Sequence, residues 1–238
     1  ACIQFCTRLA GKESWFMPFN RGYHDGAGNP PNPDGLMTDY LWRDILTREK
    51  LALIIENYAQ VVVEADEATK RKTEKQIFPR YHQLDVVTKL LADVKENGVG
   101  KKYLIQHSAG SGKSNSIAWL AHQLIGLEKD GRPILDSVIV VTNRRILDKQ
   151  IRDTLKQFTQ VGNTVTWAEH ANDLTRAITD GKRIIITTIE KFPYIVPKIG
   201  SDHRNRRFAI LIDEAHSGQS GKTSAQMNLA LSGLASED

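Results

Sequence analysis

The stretch His107–Ser114, reading HSAGSGKS, constrains this chain more than any other. The apolar run Tyr103-Leu104-Ile105 precedes it. Apolar residues at helical spacing follow it: Ile117, Leu120, Ala121, Leu124 and Leu127. The pattern predicts a strand, a loop of small residues and a helix, which is the setting of a phosphate-binding loop. Backbone N–H groups from Ala109 through Gly110, Ser111 and Gly112 to Lys113 can turn inward only where side chains do not block them, and the two glycines remove that block. A helix beginning near Lys113 adds its first N–H groups and its dipole, both of which favour a phosphate. Lys113 then reaches the β- and γ-phosphates of a nucleotide, and the Ser114 hydroxyl binds Mg²⁺. His107 stands where the consensus has glycine, and by itself the loop also reads as a Gly/Ser turn capping a helix.

The chain beyond the loop alternates. Ser137–Thr142 (SVIVVT) is a continuous apolar run, as in a strand buried on both faces. Arg144–Phe158 carries a helical stripe. Thr164–Trp167 reads as a short strand and Asn172–Thr179 as a short helix. Arg183–Thr188 and Phe208–Asp213 are two further strands. Strands alternating with helices imply an α/β fold, a parallel sheet with helices on both faces. Ligands of such sheets bind beyond the carboxyl ends of the strands.

The amino-terminal third is different. Trp15, Phe16, Phe19 and Tyr23 precede GAGNPPNPDG (26–35), which cannot lie inside a helix or a central strand. The aromatics need burial, so the segment reads as a packed loop of defined course. Residues 38–59 read as a helical pair capped by Thr38 or Asp39, Val61–Val63 as a short strand, and the mixed charges of 65–76 as a solvated loop. Pro79–Asn97 is a helix ended by Gly98, and Gln83 near its start is an exposed helix residue by default.

A net charge of +4 over 238 residues mildly suits a polyanionic partner, well short of a nucleic-acid-binding tail. The two cysteines, Cys2 and Cys6, are too few for a metal site or a disulfide framework and read as free thiols of a reducing compartment. No apolar run approaches membrane-spanning length, and the start ACIQFCTRLAG lacks the features of a signal peptide.

The second half of a site follows the last strand, which runs into Asp213-Glu214-Ala215-His216. Two carboxylates at a strand end repel each other unless a cation lies between. Mg²⁺ held by Ser114, Asp213 and a nucleotide supplies one. Glu214 then orients or deprotonates the attacking water, so that Lys113, Asp213 and Glu214 are the candidate catalytic residues.

With these motifs, residues 78–220 resemble the first motor domain of superfamily 2 helicases and translocases of the DEAD/DEAH type, a RecA-like P-loop domain. The resemblance rests on Gln83, HSAGSGKS, VIVVTNRRILDKQI (138–151), IIITTIEKF (184–192) and LIDEAH (211–216). It implies that Gln83 recognises adenine and that His216 couples the ATP site to nucleic acid. It also implies that Thr142, Asn143, Arg144, Arg145, Thr187, Thr188 and Lys191 contact nucleic-acid phosphates. His203, Arg204, Arg206 and Arg207 precede a strand and are expected as solvated charge on the opposite edge.

WFMPFNRG (15–22), GAGNPPNPDG, TDYLW (38–42) and FPRYHQLDVV (78–87) resemble more narrowly the R subunit of type I restriction enzymes, in which His at the first loop position also occurs. Ser217-Gly218-Gln219-Ser220 departs from the Arg-Ser that often follows DEAH in that family. The resemblance implies a connector over 1–77, following a nuclease domain, and a motor domain over 78–238 that continues into a second one. The full enzyme would be a prokaryotic, cytoplasmic ATP- and Mg²⁺-dependent endonuclease that translocates double-stranded DNA, with methyltransferase and specificity subunits as partners. The 238-residue chain alone is expected to bind ATP–Mg²⁺ weakly and barely hydrolyse it. A repair or RNA-remodelling helicase, and a nucleotide-dependent scaffold, are the competing readings.

Overall fold

The computed structural model describes residues 2–24, 26–65, 72–108, 110–142, 154–155, 165–195 and 206–214. The chain forms two compact units, Ala1–Thr88 and Lys89–Asp238.

In the first unit β1 (Gln4–Phe5) pairs antiparallel with β2 (Met17–Pro18). Phe5, Phe19, Phe78, Tyr40 and Tyr81 build an aromatic cluster with ring centroids 5.2–6.3 Å apart. Buried Asn29 threads the following loop: its Oδ1 accepts from the Arg21 N–H at 2.9 Å, and its Nδ2 donates to Asn20 Oδ1 at 3.0 Å. Asn20 Oδ1 also accepts from the Ile3 N–H at 2.8 Å. These bonds give the proline- and glycine-rich stretch a defined course, but of the four aromatics expected to be buried only Phe19 is, while Trp15, Phe16 and Tyr23 are exposed. The Tyr40 hydroxyl donates to the Phe19 carbonyl, and burial pushes its phenol up to about 12.

Residues 38–59 are helical in a broken way. Leu41–Ile45 is a π-helical turn, and α1 (Arg48–Asn57) begins afresh. Its cap is Thr47, whose Oγ1 accepts from the Lys50 N–H at 3.3 Å. Asp39, an expected cap, is instead buried and pairs with Arg43 at 3.4 Å. The expected loop over 65–76 is corrected at its carboxyl half. There β3 (Gln60–Ala65) and β4 (Lys72–Ile77) form an antiparallel ribbon from Gln60↔Ile77 to Ala65↔Lys72. Lys72 to Gln76 are all exposed, so β4 needs no apolar alternation and carries none.

α2 (Tyr81–Asn97) opens with half of a capping box, the Arg80 N–H donating to Gln83 Oε1 at 2.9 Å. It stops at Gly98, whose φ of +74° suits a left-handed helix end. The segment after it departs from expectation. Tyr103, Leu104 and Ile105 are exposed and form no strand. The Tyr103 hydroxyl donates to Asp93 Oδ2 at 2.5 Å and the Lys101 ammonium to Asp93 Oδ1 at 2.9 Å, tying this run to α2.

In the second unit α3 (Lys113–Ile125) leads to a short hairpin, β5 (Glu128–Lys129) and β6 (Arg132–Pro133). Its two turn residues, Asp130 and Gly131, both have positive φ. Then come β7 (Ser137–Thr142), β8 (Val165–Trp167), α4 (Ala171–Thr179), β9 (Ile184–Thr188), α5 (Phe192–Ile195) and β10 (Phe208–Ile212). Four strands form one parallel sheet in the order β10-β7-β9-β8. Ile139, Val141 and Ile185 pack on Leu174, Ala177 and Ile178 of α4 and on Phe192 and Ile195 of α5. The alternate residues, Val138, Val140, Ile184 and Ile186, are equally buried and point to the other face. α3, in which Ala118, Trp119 and Ala121 are buried, packs against β7, β9 and β10. Both faces of the sheet are thus covered, which is why its strands read as unbroken apolar runs. Of the expected helix Arg144–Phe158, only 154–155 are described, and they are helical.

Candidate nucleotide site

The loop and the last strand converge. Gly110 and Gly112 take φ of +72° and +82°, the left-handed region open to glycine. Gly112 is the N-cap of α3, with no side chain to bond the first turn. The loop closes on itself through Ser111 N–H to Ser108 O at 3.3 Å and Asn115 N–H to Gly112 O at 3.1 Å. Ser111 is buried, while Lys113 and Ser114 are half-exposed in the first turn. Ala109 lies outside the described residues.

From the other side, the Asp213 N–H donates to Val141 O at 2.9 Å and carries the β10 ladder one residue past the strand. Glu214 turns away with φ of +54°, a conformation a non-glycine residue enters only at a cost. The turn brings its carboxylate to Lys113: Nζ and Oε1 are 3.2 Å apart. Asp213 is buried, and burial pushes its carboxyl above the ordinary range, with the Glu214 charge adding to the rise. A buried carboxylate beside a second one suits a cation. Among the described residues no three His, Cys, Asp or Glu side chains cluster closely enough to hold a metal by themselves. The Ser114 hydroxyl and the Asp213 and Glu214 carboxylates are oxygen donors of the kind that would suit Mg²⁺ shared with nucleotide phosphates.

Gln83 belongs to the first unit, where it is buried and its amide oxygen caps α2. Thr142, Thr187 and Thr188 stand at the carboxyl ends of β7 and β9, but all three are buried, at 1%, 0% and 2% exposure. Thr188 Oγ1 donates to Glu190 Oε1 at 3.3 Å. Lys191 donates to the Ala168 carbonyl at 2.8 Å and stands 5.1 Å over the Trp167 ring. Sequence reasoning passed over Trp167 and Glu190. Their only sequence signal is adjacency to a strand end. Asn143, Arg144, Arg145 and His216, together with 217–220, lie outside the described residues, as do His203 and Arg204. Arg206 and Arg207 precede β10. Arg206 caps α4 through the Ile178 and Thr179 carbonyls, and Arg207 pairs with Asp136 at 3.3 Å. Cys2 and Cys6 are free thiols. Among the described residues no helix is long and apolar enough to cross a membrane.

The family model described as SWI2/SNF2 ATPase matches residues 82–236. Two solved structures of the UvsW helicase from bacteriophage T4 are similar to the chain. One has 15% identity and a TM-score of 0.49, covering 79% of this chain and 57% of that one. The other has 14% identity and a TM-score of 0.51, covering 79% and 33%. The chain therefore spans less than two thirds of either structure's length. At that identity the second likeness speaks to the fold, which is α/β and RecA-like. No curated protein matches the chain. With the family model covering well over half of its length, the chain belongs to the SWI2/SNF2 ATPase family.

Proposed function

We propose that this chain is the ATP-binding motor domain of a type I restriction R subunit, coupling ATP hydrolysis to translocation of double-stranded DNA. The observation that carries the motor reading is the meeting of Lys113 and Glu214 at 3.2 Å, one from the loop before α3 and the other from the end of β10. In this reading Ala109 to Lys113 cradle the phosphates and Lys113 neutralises charge on the β- and γ-phosphates. Ser114 and Asp213 hold Mg²⁺, and Gln83 recognises adenine. Mg²⁺–ATP supplies the phosphoryl group and the charge that offsets the two carboxylates. Glu214 takes up the proton of the attacking water or orients it, and positioning and charge neutralisation do the rest. Asn143, Arg144 and Arg145 meet DNA phosphates, which carry no base information and so suit movement over any sequence. His216 couples the two sites. Residues 1–77 connect the motor to a nuclease domain, and methyltransferase and specificity subunits choose the recognition site.

The restriction reading draws support from the amino-terminal motifs. Asn20, Asn29, Gly35 and Tyr40 of those motifs each hold a buried bond or a close approach in the first unit. A second reading, another superfamily 2 motor acting in repair or remodelling, is favoured by the family match, which begins at residue 82 and leaves the motifs of residues 15–42 untouched.

The test is displacement of a triplex-forming strand from duplex DNA by the full-length protein with its partner subunits. ATP-dependent displacement that Lys113→Ala abolishes supports the motor. Displacement that survives the change sinks it. Displacement without cleavage of unmethylated DNA favours the second reading.

A further inference from the structure

The amino ends of β7 and β10 lie side by side, the Asp136 N–H donating to the Arg207 carbonyl at 2.9 Å. Lys113 and Glu214 meet at the other end of β10. At the amino end, the β5–β6 hairpin, the residues just after α2 and Arg207 line a cavity of about 440 Å³, a usual size for a ligand pocket. Its lining has two parts. Val99, Pro133 and Ile134 form an apolar part, and Val99 is left 47% exposed. Lys129, Arg132 and Arg207 form a cationic part, against the single acid Asp130.

The hairpin sets two of these cations against each other. Lys129 and Arg132 are Cα partners in the ribbon, and like charges directly opposite in an antiparallel pair are destabilising. Most basic side chains at this end have structural work. Lys129 donates to the Glu96 carbonyl at 2.9 Å at the end of α2. Arg183 donates to the Ile125 carbonyl at the end of α3, and Arg206 caps α4. Arg207 is paired with Asp136. Arg132 is exposed and has no hydrogen bond or ion pair among the described residues. A cation placed opposite another, at a cavity and without a protein partner, is offset by an anion from outside.

We propose that this cavity docks an acidic segment of a partner protein, a carboxylate side chain lying against Arg132 and Lys129 and a neighbouring apolar side chain on Val99 and Pro133. Both parts of the lining are then used. A nucleic-acid backbone uses the cations alone, because it presents phosphates at even spacing and no apolar side chain. The cavity is at the opposite end of the sheet from Lys113 and Glu214, so its occupant leaves the candidate nucleotide site open. The proposal goes beyond the motor reading and stands without it.

The experiment uses the full-length protein and fluorescence anisotropy of a labelled peptide in which glutamate and leucine alternate along a glycine–serine chain. A short duplex DNA with the same label is the comparison. Saturable peptide binding is expected, weaker with glutamine for glutamate and weaker with serine for leucine. Arg132→Glu should weaken it about tenfold or more, the loss of a charge-assisted contact, and leave duplex affinity unchanged. The same change sets opposite charges across the hairpin, so the melting temperature holds or rises. Arg132→Gln stands in, with the same expectation for binding, if the first variant melts early. Val99→Ser, at an exposed residue, should weaken the leucine-bearing peptide and leave the serine-bearing one alone. Peptide binding that survives the Arg132 changes puts the peptide elsewhere and overturns the proposal. Duplex affinity that falls with Arg132 while peptide affinity holds makes the cavity a nucleic-acid contact and overturns it too. So does a wild-type protein that does not bind the peptide.

Discussion

Lys113 Nζ lies 3.2 Å from Glu214 Oε1, although the two residues come from opposite ends of the second unit. Both side chains are about a third exposed, at 36% and 28%, so water weakens the pair. An ion pair of that kind contributes about 0–1 kcal/mol to stability. Its importance is chemical: in the proposed reading the ammonium assigned to a phosphate rests on the carboxylate assigned to the attacking water.

Lys113→Ala should therefore separate binding from folding. The melting temperature should move by no more than about 4 °C, given how little an exposed pair is worth. ATP affinity should fall by about a hundredfold, the loss of a charge-assisted contact to phosphate. Isothermal titration with ATP and a thermal melt on the same samples check both. An unfolded variant, or one that binds ATP as the wild type does, contradicts the placement of Lys113.

Asp213 gives a pH signature. Its carboxyl is raised by burial first and by Glu214 second, so the folded state binds that proton more tightly than the unfolded state does. Stability from this group is complete below the ordinary value of 3.8 and is lost as pH rises through the folded value. Asp213→Asn should accordingly stabilise the metal-free chain, and the gain over wild type should grow as pH rises from 4 through the folded value, about 1.4 kcal/mol for each unit of rise. Urea melts in a chelator measure it. Added Mg²⁺ with nucleotide should shrink the gap, because the wild type alone can use the cation.

His122 runs the other way. Its Nε2 lies 3.3 Å from the Leu155 carbonyl, and burial lowers its pKa below 6.5. A depressed histidine contributes stability above 6.5 that is lost as pH falls through the folded value. In His122→Gln the decline between pH 6.5 and 5 should flatten relative to wild type, again by urea melts. Equal slopes in the two proteins would show that the ring is not held neutral.

In the first unit, Gly35 packs against a carboxylate. A Cβ there would come 2.2 Å from Asp39 Oδ2. Gly35→Ala should destabilise the chain by about 1–3 kcal/mol, as overpacking does. In the Asp39→Ala background the same change should cost less, a positive coupling in a double-mutant cycle. Additive losses would mean that the glycine serves some other purpose.

The buried strands Ser137–Thr142 and Ile184–Thr188 were readable because a sheet covered on both faces demands unbroken apolar runs, and the half-buried edge strand Phe208–Ile212 pairs as expected too. α2 and α3 were readable from their stripes and their glycine ends. Tyr103-Leu104-Ile105 misled, because apolar content alone says nothing of whether a neighbour strand is there to bond, and its hydroxyl and lysine found Asp93 instead. β4 was hidden because an exposed ribbon strand needs no apolar residue, and Lys72 to Gln76 are all exposed. At the candidate site, residue types alone singled out the loop and Asp213-Glu214, which the fold brings together at Lys113 and Glu214. That Thr142 and Thr188 face inward could not, since hydroxyls at a strand end look the same in sequence whether they meet ligand or core.

The strand order has a consequence for how the protein is made. β7 sits between β9 and β10, yet β10 is the last of the four in the chain, and the Asp136–Arg207 bonds at their starts span 71 residues. Contacts so distant along the chain are slow to form, and a nascent chain cannot form them before Phe208–Ile212 has left the ribosome. Until then β7 has one exposed edge and Lys113 has no carboxylate opposite. Asp213 and Glu214 arrive at the end of β10, so synthesis delivers the glycine loop early and sets the two carboxylates against it only with the last of these four strands.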